Sequence, residues 1–292
     1  MKNNFNKGLI LTSLGSFWWG FIGVLYFEYV SFIGHIELVV HRCLWTAVML
    51  LITTTFFSKW KIFFYILSNG KKIVSLFVSG FLIFINWSVW IYAVATDRII
   101  DASFGYFIMP IISVLLGYVF FKENLNKKRI FSIILVMISI LILLFFNLKS
   151  LPWVGIIVAV SWAFYNLIRK KINVDTDVGL LVESLFIFPF ALVVFYMITK
   201  NGLNDFNFSN PGFSLFLILA GPMTVIPLFL YVRGVELIGL GPTGMIFYIT
   251  PTLQFILGYF YFNEDFSIVK FVSFIIIWIA VIIYLKDLYE TN

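Results

Sequence analysis

Between Ile73 and Thr96 there is no charged side chain, and there is none between Phe206 and Val232. A helix needs about 20 largely apolar residues to cross about 30 Å of hydrocarbon, and each of these stretches is longer than that. A water-soluble core could not hide such runs, so lipid is the solvent they require. The rest of the chain repeats the pattern. Ten apolar runs lie at roughly 8–28, 36–57, 73–95, 101–121, 130–147, 152–170, 178–199, 213–233, 241–262 and 267–285, each bounded by charge or turn residues. They are continuously apolar rather than alternating, so each backbone satisfies its hydrogen bonds within one helix, not across the strands of a barrel. Charged residues make up 12% of the chain, about half the usual share of a soluble domain, and no polar stretch exceeds a short loop. Lys2 and Lys7 before the first run resemble the start of a signal peptide. No small-residue cleavage site follows, so the run reads as the first span.

Loop charge sets the expected orientation. With a cytoplasmic N-terminus, fifteen of the twenty Lys and Arg residues fall on that side, among them Lys59, Lys72, Lys128, Arg169 and Arg233. Four fall on the other: Arg98, Lys149, Lys200 and Lys270. Arg42 lies within a span. The bias predicts ten spans with both termini in the cytoplasm.

Sliding the chain by 141 residues superimposes Pro110 on Pro251, Gly117-Tyr118 on Gly258-Tyr259, Phe121 on Phe262, Glu123 on Glu264 and Gly80 on Gly221. Each half then holds five spans, and because five is odd the second half enters the membrane in the opposite sense. The expected fold is an all-α membrane protein of ten transmembrane helices built as two inverted five-helix repeats, 7–147 and 151–287. Inverted repeats let a carrier expose one midplane site to either side.

Polar groups within spans are costly and invite a functional reading. His41 and Arg42 lie close to Glu37 and one turn from Trp45. The guanidinium can pair with that carboxylate, snorkel to the boundary, or accept an anionic substrate group. Glu183 is either a proton-coupling carboxylate or a helix-end acid balancing Arg169, Lys170 or Lys171. Asp101 either caps the fourth span or gates it. Trp19, Asn86, Trp87, Trp90, Tyr106, Tyr165, Tyr248 and Gln254 supply aromatic faces and hydrogen-bonding tips for a small organic ligand, although each aromatic is also an ordinary packing residue. Pro110 and Pro251 are candidate hinges.

Several chemistries are excluded. No G-x-x-x-x-G-K-[ST] run exists for ATP. Two histidines, His35 and His41, and one cysteine, Cys43, offer neither a zinc site nor a disulfide. No cofactor, metal or nucleic-acid partner is expected, and no clustered catalytic set is present for an enzyme.

The ordered set His41-Arg42-x-x-Trp45, Asn86-Trp87, Asp101-Ala102-Ser103-Phe104-Gly105-Tyr106-Phe107-Ile108-x-Pro110, Phe164-Tyr165 with Arg169-Lys170-Lys171, and Tyr248-x-x-Pro251-Thr252 resembles RarD-type members of the EamA group, within the drug/metabolite transporter superfamily. Asp101 stands where that group usually has glutamate. The resemblance implies ten helices, a bacterial inner membrane, and a cavity lined by spans one to four and six to nine. It also implies ATP-independent, secondary transport of a small metabolite by alternating access: amino acid-like, a cation or a drug. Proton coupling, exchange and a homodimer are further expectations; a membrane sensor or a membrane-embedded enzyme is the alternative.

Overall fold

The computed structural model describes residues 2–30, 32–95, 99–147, 153–207, 211–263 and 267–291. Among the described residues every regular element is a helix, as a chain rich in Leu, Ile, Val and Phe requires where no water satisfies the backbone. The order is α1 (Lys2–Phe17), a π-helical turn (Trp18–Ile22), α2 (Gly23–Tyr29), α3 (His35–Phe56), α4 (Trp60–Leu67), α5 (Gly70–Ala95), α6 (Ile99–Phe121) and α7 (Lys127–Asn147). It continues with α8 (Trp153–Ile172), α9 (Thr176–Lys200), α10 (Pro211–Ile218), α11 (Ala220–Ile238), α12 (Leu240–Ile246), α13 (Ile249–Phe260) and α14 (Ile268–Thr291).

Among the described residues eight stretches are long and apolar enough to cross a bilayer: Asn4–Tyr29, His35–Phe56, Gly70–Trp90, Phe104–Phe121, Lys127–Phe146, Thr176–Lys200, Pro211–Ile238 and Ile268–Thr291. The other two expected spans differ for physical reasons. Helix α8 has the length but ends on Arg169-Lys170-Lys171. The ninth run is broken into α12 and α13 at Phe247-Tyr248, so neither piece spans alone. Pro251 therefore sits in the first turn of α13, where its missing N–H costs nothing, whereas its repeat mate Pro110 lies inside the continuous helix α6. The loop expected around 58–72 contains the short helix α4.

Large side chains such as Phe56, Phe145 and Phe260 point away from the bundle, as they do where lipid is the neighbour. Inside, small residues let backbones close up. A Cβ at Gly221 of α11 would stand 2.5 Å from the Trp45 carbonyl of α3, and one at Gly105 of α6 would stand 2.7 Å from the Gly155 carbonyl of α8.

Three pairs of helices equated by the 141-residue offset touch in antiparallel fashion: α3 with α9, α7 with α14 and α6 with α12. In α3 and α9, Glu37 meets residues just past the end of α9, while Lys59 meets Asp177 at its start. In α7 and α14, Arg129 binds Asp287 and Ser139 donates to the Ser273 carbonyl. In α6 and α12, residues 141 apart meet directly: the rings of Tyr106 and Phe247 lie 5.7 Å apart, and the Tyr248 hydroxyl donates to the Phe107 carbonyl at 2.8 Å.

Candidate functional site

The bundle has two ends. One carries Lys59, Glu123, Asp175 and Lys170, the other Glu37 and Asp205. The expected site residues fall into groups arranged between them.

Toward the first end, Glu183 of α9 is buried at 2% exposure, with Arg169 of α8 buried at 1%. Arg169 Nη1 lies 3.5 Å from Glu183 Oε1, and its Nη2 donates to the Thr176 carbonyl at 2.9 Å. Tyr165 donates to Glu183 Oε2 at 3.2 Å, and Ser79 Oγ lies 2.5 Å from Oε1. Ser79 also lies 3.1 Å from the Leu76 carbonyl. A hydroxyl has one proton for these two acceptors. With Glu183 ionised it goes to the carboxylate; with Glu183 protonated the carboxyl donates to Ser79, which turns to Leu76. The contacts accommodate either protonation state.

Beyond Glu183 the end is closed by charge. Lys59 Nζ donates to Asp177 at 2.7 Å and to Asp175 at 3.1 Å. Burial opposes the charge on Lys59, but the hydrogen bonds to Asp177 and Asp175 outweigh it and hold the ammonium above its ordinary pKa. For Asp175 too burial works against ionisation, yet the bonds from Asp177 and Lys59 prevail and hold its carboxyl below the usual range. Glu123 spans from α6 to the N-terminus of α12, accepting the Leu240 N–H at 2.8 Å and the Gly241 N–H at 2.9 Å, with Lys170 at 3.3 Å. Gly239, at φ +97°, lets the chain pass this carboxylate; a Cβ there would collide with it.

At the centre the aromatics interlock. Trp19, held on the π-helical turn, packs edge-on against Trp162 at 5.2 Å, and Trp162 stacks on Tyr165 at 5.5 Å. Tyr231 and Phe247 complete the cluster, with Tyr106 on its flank. Trp162, Tyr231 and Phe247 were not singled out by the sequence, because nothing separates them from the other aromatics of a chain so rich in them.

Arg42 lies on α3 at 8% exposure. It is not paired with Glu37. That carboxylate instead accepts the N–H groups of Asp205 and Phe206 and faces His41 Nε2 at 3.4 Å, while His41 Nδ1 accepts from the Trp45 indole at 3.1 Å. Arg42 lies against two rings: its guanidinium carbon is 4.7 Å from the ring centre of Trp87 and 5.0 Å from that of Phe27. Nε donates to Thr224 Oγ1 at 3.3 Å. Among the described residues no carboxylate pairs with it, and Nη1 and Nη2 donate no hydrogen bond.

Other expected site residues serve packing. Asn86 donates to the Val158 carbonyl and to Ser161, stapling α5 to α8. Tyr248 is spent on Phe107. Trp90 packs on Phe27. Gln254 is half-buried and makes no hydrogen bond among the described residues. The side chain of Asp101, and all of Glu264, lie outside the described residues. Between Trp87, Thr46 and Glu183 is a cavity of about 10 Å³, room for no more than one water.

Two segments, residues 6–145 and 150–286, match the EamA-like transporter family. The chain is 34% identical to the uncharacterized transporter YojE of Bacillus subtilis, over 95% of this chain and 93% of the relative. It is 30% identical to protein RarD of Escherichia coli, over 98% and 96%, and 32% identical to protein RarD of Salmonella typhi, over 98% and 97%. One solved crystal structure superposes with a TM-score of 0.72 at 11% identity, over 96% of this chain and 97% of the other, which speaks to the fold alone.

Proposed function

This chain belongs to the EamA-like transporter family, and from that premise we propose that it is a secondary carrier, moving a small metabolite across a bacterial inner membrane by alternating access. Its unit is ten spans: α1–α2, α3, α5, α6, α7, α8, α9, α10–α11, α12–α13 and α14. These form two inverted repeats, 7–147 and 151–287, with both termini in the cytoplasm beside the Lys59 end.

The observation that carries the reading is the antiparallel contact of repeat-equivalent helices, with Tyr106 on Phe247 and Phe107 on Tyr248. A two-fold relation of this kind makes opening on one side the mirror of opening on the other, so a single site serves both. The closed arrangement also fits. Lys59 with Asp175 and Asp177 latches one end, Glu37 with the backbone of residues 205–206 latches the other, and the cavity between has room for a water. Glu183 is the candidate coupling carboxylate because its contacts suit both protonation states.

Purified protein in liposomes tests the proposal. Substrate trapped inside should accelerate uptake of labelled substrate from outside, and ATP should make no difference. Saturable binding with no flux under any gradient would reject transport.

A further inference from the structure

Among the described residues no carboxylate pairs with Arg42. Glu37 accepts two backbone N–H groups and faces His41, and Glu183 is held by Ser79, Tyr165 and Arg169. A guanidinium that is 8% exposed and has no counterion among the described residues is an expensive feature within a membrane bundle.

Its contacts define what it can still bind. Its guanidinium carbon lies over the rings of both Trp87 and Phe27, whose faces hold the cation. Thr224 takes the Nε edge. The edge formed by Nη1 and Nη2 is left, and two parallel N–H groups in one plane match the two oxygens of a carboxylate. A spherical halide would use that fork poorly.

A second group lies beside the same ring, Trp87. Thr46 lies one turn along α3 from Arg42, is 2% exposed, and lines the cavity beside Trp87. Some buried threonines donate back along their helix, as Thr12 does to Gly8 and Thr224 to Ala220, and Thr250 donates across to the Ser16 carbonyl. Among the described residues the Thr46 hydroxyl, like that of Thr54, has no hydrogen-bond partner. An idle buried donor and an idle buried cation on the same helix are what a site lacking its ligand leaves behind.

We propose that Arg42 and Thr46 form the recognition site of the carrier, and that its substrates are small organic carboxylates with an apolar body. Arg42 takes the carboxylate end-on through Nη1 and Nη2, Thr46 donates to a remaining lone pair of the same carboxylate, and Trp87 walls the site. The inference rests on the transport reading and names its substrate class. Because the cavity is small in the closed arrangement, the ligand enters when the Glu37 latch opens.

Binding is measured apart from flux, by the tryptophan fluorescence and thermal unfolding of the full-length protein in detergent. The probes are benzoate, phenylacetate, 4-methylvalerate and leucine, each against its neutral amide, with inorganic phosphate and chloride alongside. At least one carboxylate should stabilise the protein and shift its fluorescence while its amide does neither. Arg42→Lys, which keeps the charge but loses the fork, should weaken that carboxylate by about tenfold, the equivalent of one good hydrogen bond. Thr46→Val should weaken it while leaving the preference over the amide. Arg42→Gln should abolish it; if that variant does not fold, Arg42→Lys and Thr46→Val decide. The proposal is overturned if no carboxylate binds, if amides bind equally, if phosphate binds in their place, or if Arg42→Lys keeps wild-type affinity. Carboxylate binding without liposome flux would instead overturn transport and leave the site, whereas flux of a neutral solute through Arg42→Gln would do the reverse.

Discussion

The Arg169 guanidinium lies 3.5 Å from the Glu183 carboxylate, with side-chain exposures of 0% and 3%. The pair joins α8 to α9 where the two helices enter the bundle. Gly179 makes the contact possible, since a Cβ there would overlap the Arg169 guanidinium. Breaking one partner of a buried pair leaves an uncompensated charge and costs about 3–5 kcal/mol. Arg169→Gln should therefore lower stability in detergent by about 3 kcal/mol or more. Glu183→Gln should cost at least as much, because it strands the permanent charge of Arg169 with only the Thr176 carbonyl, whereas the Glu183 left by Arg169→Gln can take up a proton. The double variant should recover part of the Arg169→Gln loss. Strictly additive losses in thermal unfolding would show that the pair is not coupled. In liposomes, Glu183→Gln should lose its response to a pH gradient and keep substrate exchange; a retained response would remove Glu183 from coupling.

Glu123 does for α12 what a helix cap does. Its two oxygens hold the N–H groups of Leu240 and Gly241, donors that have no partner within the helix, and its charge suits the positive helix end. Glu123→Ala should cost about 1–2 kcal/mol, the usual range for a lost cap. Glu123→Gln, which keeps an acceptor, should cost less. Equal losses for the two variants in thermal melts would show that the acceptor is not what matters.

Much of this fold was legible because membrane physics writes it plainly. Charge-free runs mark helices, and the 141-residue offset marks pairs such as Pro110 and Pro251. The break between α12 and α13 was hidden, because Phe247 and Tyr248 are as apolar as their neighbours and only Pro251 hints at a new first turn. Burial of Arg169 was hidden too. By sequence it belongs with the loop lysines, and it is the space at Gly179, on another helix, that draws it inside. Glu37 stood nearest to Arg42 along the chain, yet the N–H groups of residues 205–206 claimed it, and no local pattern records a partner so distant. Arg42 and Glu183 were identifiable as costly; which of them would be satisfied was not.

The Lys59 latch carries a pH signature whose sign follows from its shifts. Lys59 is held above its ordinary pKa, so its contribution is complete below about pH 10 and is lost as pH rises through the raised value. Asp175 is held below its ordinary pKa, so its contribution is complete above about pH 4 and is lost as pH falls through the lowered value. Both side chains keep partial exposure, which limits the latch to about 1 kcal/mol. Lys59→Met should therefore be less stable than wild type by a constant amount from about pH 5 to pH 9, with the gap narrowing at either extreme. A gap independent of pH across the whole range would assign the loss to packing of the lysine stem.

Ser68, after α4, and Asn201, after α9, each lie in the connection that follows the second span of its half, and both are exposed. If the repeats are inverted, the two positions lie on opposite sides of the membrane. Cys43 is the chain's single cysteine and is 4% exposed, so labelling can be read against a silent background. Asn201→Cys should react with an impermeant maleimide in intact cells, and Ser68→Cys only once the cells are permeabilised. Reaction of both from the same side would end the inverted-repeat reading. Reaction from opposite sides but in reverse would keep the inversion and place the Lys59 end outside, against the pull of its fifteen basic residues.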